Sequence, residues 1–394
     1  MSKSKSSPTC GPLEGIKVVE MAAIGPVPFC GMALADMGAE VICVERVFDA
    51  NLGIAVERKF DCMGRGKKSI SVDLKQEQGV ALVRHLISES DAVIEGFRPD
   101  VMDRLGLGPE ICLAQNPRLV FGRSSGWGDE GPLSSIASHD INYLALSGCL
   151  ASMGVKGPPT PPLNLVGDFG GAAMHLLAGV IAGLYAAKTT GVGQVVSASI
   201  AHGTLGLMPM IYGLYASGSL SLERGQNLLD GGAPFYRTYE TSDGRYIAVG
   251  AIEKKFFIEL LRKLGLEDRI DATQQNERNT WPQVTTLFEE IFAKKTRDEW
   301  SKLFANSDAC VTPVLDMSEA LQHPQQIAAN AFIEIEGVRQ PAPVPKFSAS
   351  QHMPRGGAPE MGAHTGEILA QLGYSEAELA EFSQNGLIAG DLDQ

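Results

Sequence analysis

The chain has 394 residues, with 33 Lys and Arg against 46 Asp and Glu, for a formal net charge of −13. That balance argues against a broadly basic face for nucleic acid or an anionic membrane. Its 44% hydrophobic and 20% charged residues match ordinary globular usage rather than disorder, and the length suits two or three domains, or one large domain with a lobe.

The first 125 residues alternate between β-rich and helical patterns. Residues 16–20 form a short apolar run, followed by a Gly25-Pro26 turn and an amphipathic stretch that ends at Gly38, where a helix stop favours glycine. Further strands are expected at 40–45, 69–73, 91–95 and 119–123, with a helix at 76–89. Strand–helix alternation of this kind predicts an α/β fold with a Rossmann-like parallel sheet and a ligand at the carboxyl ends of the strands. A helix apolar on nearly all sides is expected from Asp168 to about Lys188. Its most apolar part, 176–187, reads as too short to span a bilayer. After Gly244 a strand at 246–250 and several amphipathic helices predict a smaller α+β lobe. The proline-rich stretch 340–359 reads as an extended return linker. In the tail, Ser375 and Glu378 have capping-box spacing. The expected division is a large domain at 1–225, a small domain at 226–332 and a return segment at 333–394.

Seven scattered cysteines include no CxxC pair and no Cys/His set with metal-ligand spacing, so free thiols and no metal site are expected. The N-terminal ten residues lack the apolar core of a signal peptide, and Asp-Leu-Asp-Gln is not a peroxisomal address. A cytoplasmic protein is the expectation. The segment Ala22-Ala23-Ile24-Gly25-Pro26-Val27-Pro28 is not GxGxxG, its prolines lack the N–H that a pyrophosphate needs, and no Walker A pattern appears.

Basic residues nevertheless gather between Arg46 and Arg98, among them Arg58, Lys59, Arg65, Lys67, Lys68 and Lys75. They suit either a ligand with several phosphates or a solvated loop. His139 opens an apolar helical stretch and Asp168 opens the long one. Either has a structural reading as a helix-start residue, as does Glu253 before the helical run 254–264.

At these residues the chain resembles the family III CoA-transferase (CaiB/BaiF) superfamily and, within it, the α-methylacyl-CoA racemases. The resemblance runs from Leu13 to about Leu387. It rests on Leu34–Arg46, on Arg65-Gly66-Lys67-Lys68-Ser69-Ile70, and on Glu95-Gly96-Phe97-Arg98-Pro99. His139-Asp140-Ile141-Asn142-Tyr143, Gly167-Asp168-Phe169-Gly170-Gly171, Leu229–Tyr236 and Val249–Glu253 complete the ordered set. The resemblance implies an interlocked homodimer, with active sites between the large domain of one protomer and the small domain of the other. It implies that His139 and Asp168 are the catalytic pair and that Glu253 hydrogen-bonds His139. Arg46, Lys59, Arg65, Lys68 and Arg98 would lie along CoA, with Asp140 and Tyr143 near the thioester. The implied activity inverts the 2-methyl centre of 2-methylacyl-CoA thioesters, with CoA as part of the substrate and no separate cofactor. Two bases would move the α-proton through an enolate, and burial would lift Asp168 far enough to serve as an acid. The amides at the start of the Asp168 helix would face the thioester oxygen. A CoA-transferase with Asp168 as nucleophile is the alternative within the fold, and a non-catalytic acyl-CoA-binding relative is the alternative outside enzymes.

Overall fold

The structure is a computed structural model that describes residues 11–48, 53–54, 56–350 and 352–392. Cys10 and the N-terminal ten residues lie outside the described residues. The chain divides into two compact units, one made of 1–147, 163–207 and 330–394, the other of 148–162 and 208–329.

The first unit is built on strands β1 (Lys17–Met21), β2 (Glu40–Glu45), β3 (Lys68–Val72), β4 (Ala92–Glu95), β5 (Val120–Ser125) and β6 (Gln194–Ser199). The second contains β7 (Tyr236–Glu240), β8 (Tyr246–Gly250) and β9 (Val311–Pro313). A hairpin of β10 (Phe332–Ile335) and β11 (Val338–Pro341), then the short β12 (Ile388–Ala389), return to the first unit. Its sheet has seven strands in the order β12-β3-β2-β1-β4-β5-β6, all parallel except β12. The run 3-2-1-4-5-6 is the doubly wound order, whose direction reverses between β1 and β4. Ligands bind outside the carboxyl ends of the strands at such a reversal.

Both faces of this sheet are covered, so β1, β2 and β4 carry apolar runs, and in β3, where serine alternates with apolar residues, Ser69 and Ser71 are as buried as Ile70 and Val72. Val18, Val41 and Ile94 face the helices Pro26–Asp36 and Met174–Thr190. Val19, Met21 and Val93 face the helix Glu77–Ser88 and the tail helices Thr365–Gln371 and Glu376–Gln384. Ser375 and Glu378 form the expected capping box. The second unit packs β7, β8 and β9 against amphipathic helices over an aromatic core that includes Tyr239, Phe257, Phe288, Phe292 and Trp300.

Three features differ from the sequence reading. Gln340 and Pro341 close the β10–β11 hairpin instead of opening the linker, while 342–350 and 352–359 form no helix or strand, as the linker reading expects. The hairpin is tied down by Arg65, whose guanidinium bonds Asp36 twice, Gln340 Oε1 at 2.9 Å and the Pro341 carbonyl at 2.8 Å. The Asp168 segment starts earlier, as a π-helical turn Leu165–Ala173 that continues into the α-helix Met174–Thr190, so Asn164 and not Asp168 occupies the cap position. The joined run Leu165–Thr190 is also longer than its apolar centre suggested. By length and composition it is long enough to cross a membrane. In this fold Leu176, Leu177, Val180 and Leu184 are buried, and Gly179 and Gly183 lie against Val196 and Val120 of the sheet.

Candidate active site

A cavity of about 330 Å³ opens at the carboxyl ends of the strands, where the sheet order reverses. The loop after β1 gives it Ile24 and Gly25, the loop after β4 gives Phe97 and Arg98, and the end of β5 gives Ser124 and Ser125. His139, Asp140, Tyr143 and Asp168 complete its working surface.

His139 precedes the helix Asp140–Leu146, and its exposed side chain stands at the helix start. Its N–H donates to Asn142 Oδ1 at 3.1 Å, and the Asn142 N–H donates back to its carbonyl at 2.8 Å. Tyr143, on the first turn, is 5% exposed and donates from its hydroxyl to the Ser138 carbonyl at 2.9 Å. The Trp127 ring meets it edge-on at 4.6 Å. The backbone leading into His139 is therefore held from both sides.

Asp168 is the fourth residue of the π-helical turn, and its N–H donates to Asp140 Oδ1 at 2.8 Å. Asn164, one turn earlier, donates from Nδ2 to Asp168 Oδ2 at 3.3 Å. The next residue, Phe169, stacks on Phe29 at 4.7 Å, which joins this turn to the helix Pro26–Asp36. Gly25, at φ +74°, brings backbone against the carboxylate, since a Cβ there would lie 3.1 Å from Asp168 Oδ2. Glycine accepts that φ without strain. Burial raises the Asp168 carboxyl above its ordinary range and the Asp140 charge adds to this, while the Asn164 hydrogen bond and His139 pull it down. Burial likewise raises Asp140, opposed by the N–H groups of Asp168 and Gly167. Because the Asp168 amide is already bonded to Asp140, it does not face a ligand as the sequence reading expected of this helix start.

The remaining sequence candidates are dispersed. Arg46 follows β2 on the same carboxyl edge, is exposed, and lines a second cavity of about 350 Å³. That cavity has apolar walls, including Met21, Val44 and Leu74, and it shares Phe97 with the first. Lys75 also lines it. Lys59 is exposed, pairs with Glu57 at 3.2 Å and lies over the Phe60 ring. Lys68 begins β3 and bridges Glu40 and Glu367 at 2.7 Å each. It sits on the amino edge, roughly 13 Å along the strand from the carboxyl end at ~3.3 Å per residue. Arg65 is 3% exposed, and the Asp36 and hairpin bonds occupy its guanidinium. Glu253 lies in the second unit, exposed, as the N-cap of the helix Lys254–Leu264, with no side-chain capping bond. The structure thus gathers His139, Asp140, Tyr143, Asp168 and Arg98 around one cavity, with Arg46 beside its neighbour. Sequence reasoning missed Asn164, Gly25 and the Ser124-Ser125 pair. The i, i+4 spacing of Asn164 and Asp168 and the carboxyl-end rule were the available signals.

The family model for CoA-transferase family III matches residues 13–365. An α-methylacyl-CoA racemase of Mus musculus is 43% identical over 382 residues, covering 96% of this chain and 98% of its own. The Homo sapiens α-methylacyl-CoA racemase is 41% identical, covering 95% and 97%. Among solved structures, a CaiB/BaiF family protein from Brucella suis superposes with a TM-score of 0.79 at 27% identity, covering 92% of this chain and all of its own.

Proposed function

The chain belongs to CoA-transferase family III, and from that premise we propose that it is a racemase that inverts the 2-methyl centre of 2-methylacyl-CoA thioesters. The observation that carries this reading is a histidine and a half-buried, upward-shifted carboxyl on one cavity at the reversal point of the sheet. The whole-length likeness to α-methylacyl-CoA racemases supports it.

The α-proton of a thioester is weakly acidic, and inversion requires its removal on one face and the delivery of a proton to the other. Neutral His139 accepts the proton from one enantiomer, leaving a planar enolate, and protonated Asp168 delivers a proton to the opposite face. The reverse direction exchanges the roles. An ordinary aspartate is too weak a proton holder near neutrality for the second half, and burial corrects that. Positioned acid–base groups of this kind contribute about 10²–10⁴-fold each.

Along the carboxyl edge, Arg98 and Arg46 mark a path from the reacting centre to the apolar second cavity, which suits the phosphates and nucleotide of CoA. Lys59 is proposed nearby. Arg65 and Lys68 act on the fold beneath that path rather than along it. CoA is part of the substrate, and no separate cofactor is proposed. We place Glu253 of a second protomer at His139 in an interlocked homodimer. The thiols of Cys30, Cys43, Cys62, Cys112 and Cys310 suit a reducing, cytoplasmic setting, where branched acyl thioesters of lipid metabolism are the substrate class.

The test is deuterium uptake at the α-carbon of a 2-methylacyl-CoA in heavy water. Uptake with loss of stereochemical purity is expected, and it should disappear in His139→Ala and in Asp168→Ala. The family itself favours one second reading, CoA transfer through an acyl-Asp168 anhydride. A CoA adduct on Asp168 seen by mass spectrometry, with no α-exchange, would establish that instead.

A further inference from the structure

We propose that Asp140 is a positioning residue for Asp168: its carboxylate braces the backbone of the π-helical turn and holds a negative charge beside the Asp168 carboxyl. This rests on reading Asp168 as a proton-transfer group.

A π-helical turn begins with amides that have no partner inside the helix, and its first internal bond here runs from the Phe169 N–H to the Asn164 carbonyl at 3.3 Å. Two of the preceding amides, those of Gly167 and Asp168, donate to the Asp140 side chain, the latter at 2.8 Å. The fit is tight, since a Cβ on Gly167 would lie 2.3 Å from Asp140 Oδ1. Position 167 therefore has room for this carboxylate only when it carries no side chain. Asp140 is also the first residue of the helix that His139 precedes. One carboxylate thus spans the 28 residues between the two catalytic segments and ties the helix that begins after His139 to the turn that carries Asp168.

The other groups around Asp168 are accounted for. His139 lowers its affinity for a proton, Asn164 donates to it, and Tyr143 and Arg98 line the same cavity. From the flanking helices, His175 is bonded to the Gly171 carbonyl at 2.5 Å and the His202 ring lies against Gly128. Asp36 is committed to Arg65. Among the described residues, Asp140 is the only carboxylate besides Asp168 that lines the cavity.

The experiment compares Asp140→Asn, which keeps an oxygen acceptor for the two amides, with Asp140→Ala, which keeps neither acceptor nor charge. The Asp168 carboxyl is titrated directly by carbon NMR in the full chain, its signal assigned by its loss in Asp168→Asn. In Asp140→Asn the titration should move to lower pH by about one unit, the scale of a nearby like charge. Its kcat should fall far less than that of Asp140→Ala, where a misplaced turn costs on the order of 10²-fold. Gly167→Ala, which displaces the carboxylate from the other side, should reproduce the Asp140→Ala loss. An unmoved titration in Asp140→Asn would overturn the proposal. So would equal losses in the Asn and Ala variants accompanied by a raised KM, which would make Asp140 a substrate contact. Because the titration needs no turnover, absence of α-exchange in the unsubstituted protein would refute the racemase reading without touching this result.

Discussion

The Asp168 carboxyl is a balance among burial, one hydrogen bond and two neighbouring charges. Burial is the largest influence, Asn164 and His139 favour the charged form, and Asp140 opposes it. The net direction is upward, so the folded chain holds the proton more tightly than the unfolded chain does, where an aspartate titrates near ~3.9. The sign follows from linkage. The group's contribution to stability is fullest below its unfolded pKa and is lost as pH rises through the raised folded value. Asp168→Asn, which never ionises, should therefore unfold at a higher temperature than the unsubstituted chain at pH 8, with the gap closing toward pH 4. A gap that widens toward acid would show that the carboxylate is stabilised by its surroundings. This trade of stability for a proton-transfer group is common at catalytic positions. The upward direction was expected from the apolar surroundings, whereas the Asn164 bond and the Asp140 charge were not. The acid near the start of a helix was visible, but cap and catalyst look alike at that level, and only the family resemblance joined Asp168 to His139.

At the scale of elements, the helix Pro26–Asp36 presents its N-terminal end to the cavity and is pinned from beneath by a buried pair. Lys67 Nζ reaches both Glu20 oxygens at 2.7 and 2.8 Å and the Pro28 carbonyl at 3.0 Å. Both side chains are 3% exposed. Glu20 shares a face of β1 with Val18, beneath Gly31, where a Cβ would lie 1.7 Å from Glu20 Oε2. The sequence offered two readings for Lys67, a phosphate contact or a solvated loop, and it is neither. A lysine in a basic cluster gives no local sign that its partner lies 47 residues earlier, under a helix. Lys67→Met should destabilise the fold by about 3–5 kcal/mol by leaving the buried Glu20 carboxyl without its partner, while Glu20→Gln with Lys67→Met should recover most of that. Denaturant unfolding of the two variants decides it, and equal losses would mean the pair is a contributor in itself. The five front strands were legible from short apolar runs in β1, β2, β4 and the start of β5, and from alternation in β3, KSISV. β6, Gln194–Ser199, was missed because QVVSAS carries only a short apolar run among small polar residues. The π-helical turn has no sequence signature at all.

For the whole molecule, the net charge of −13 and the proposed phosphate-bearing substrate are reconciled by which edge of the sheet the basic residues occupy. Arg46, Lys75 and Arg98 lie at the carboxyl edge, whereas Lys68 bridges Glu40 and Glu367 at the amino edge and Arg65 anchors the hairpin in the interior. Sequence clustering between 46 and 98 could not separate these groups, because successive strands carry neighbouring residues to opposite edges. The same scale tests the proposed dimer. Glu253 belongs to the second compact unit and His139 to the first. If each active site takes His139 from one protomer and Glu253 from the other, a heterodimer of a His139→Ala chain and a Glu253→Ala chain has one site with both lesions and one with none. Co-expressed with different tags and purified through both, it should show about half the activity of the unsubstituted dimer, as closed two-fold symmetry requires. Either variant homodimer should be nearly inactive. Should Glu253 instead serve its own chain, every site in the heterodimer carries one lesion, and activity stays at the level of the single variants. The outcome therefore reports the subunit origin of Glu253 as well as its need, which neither homodimer can do alone.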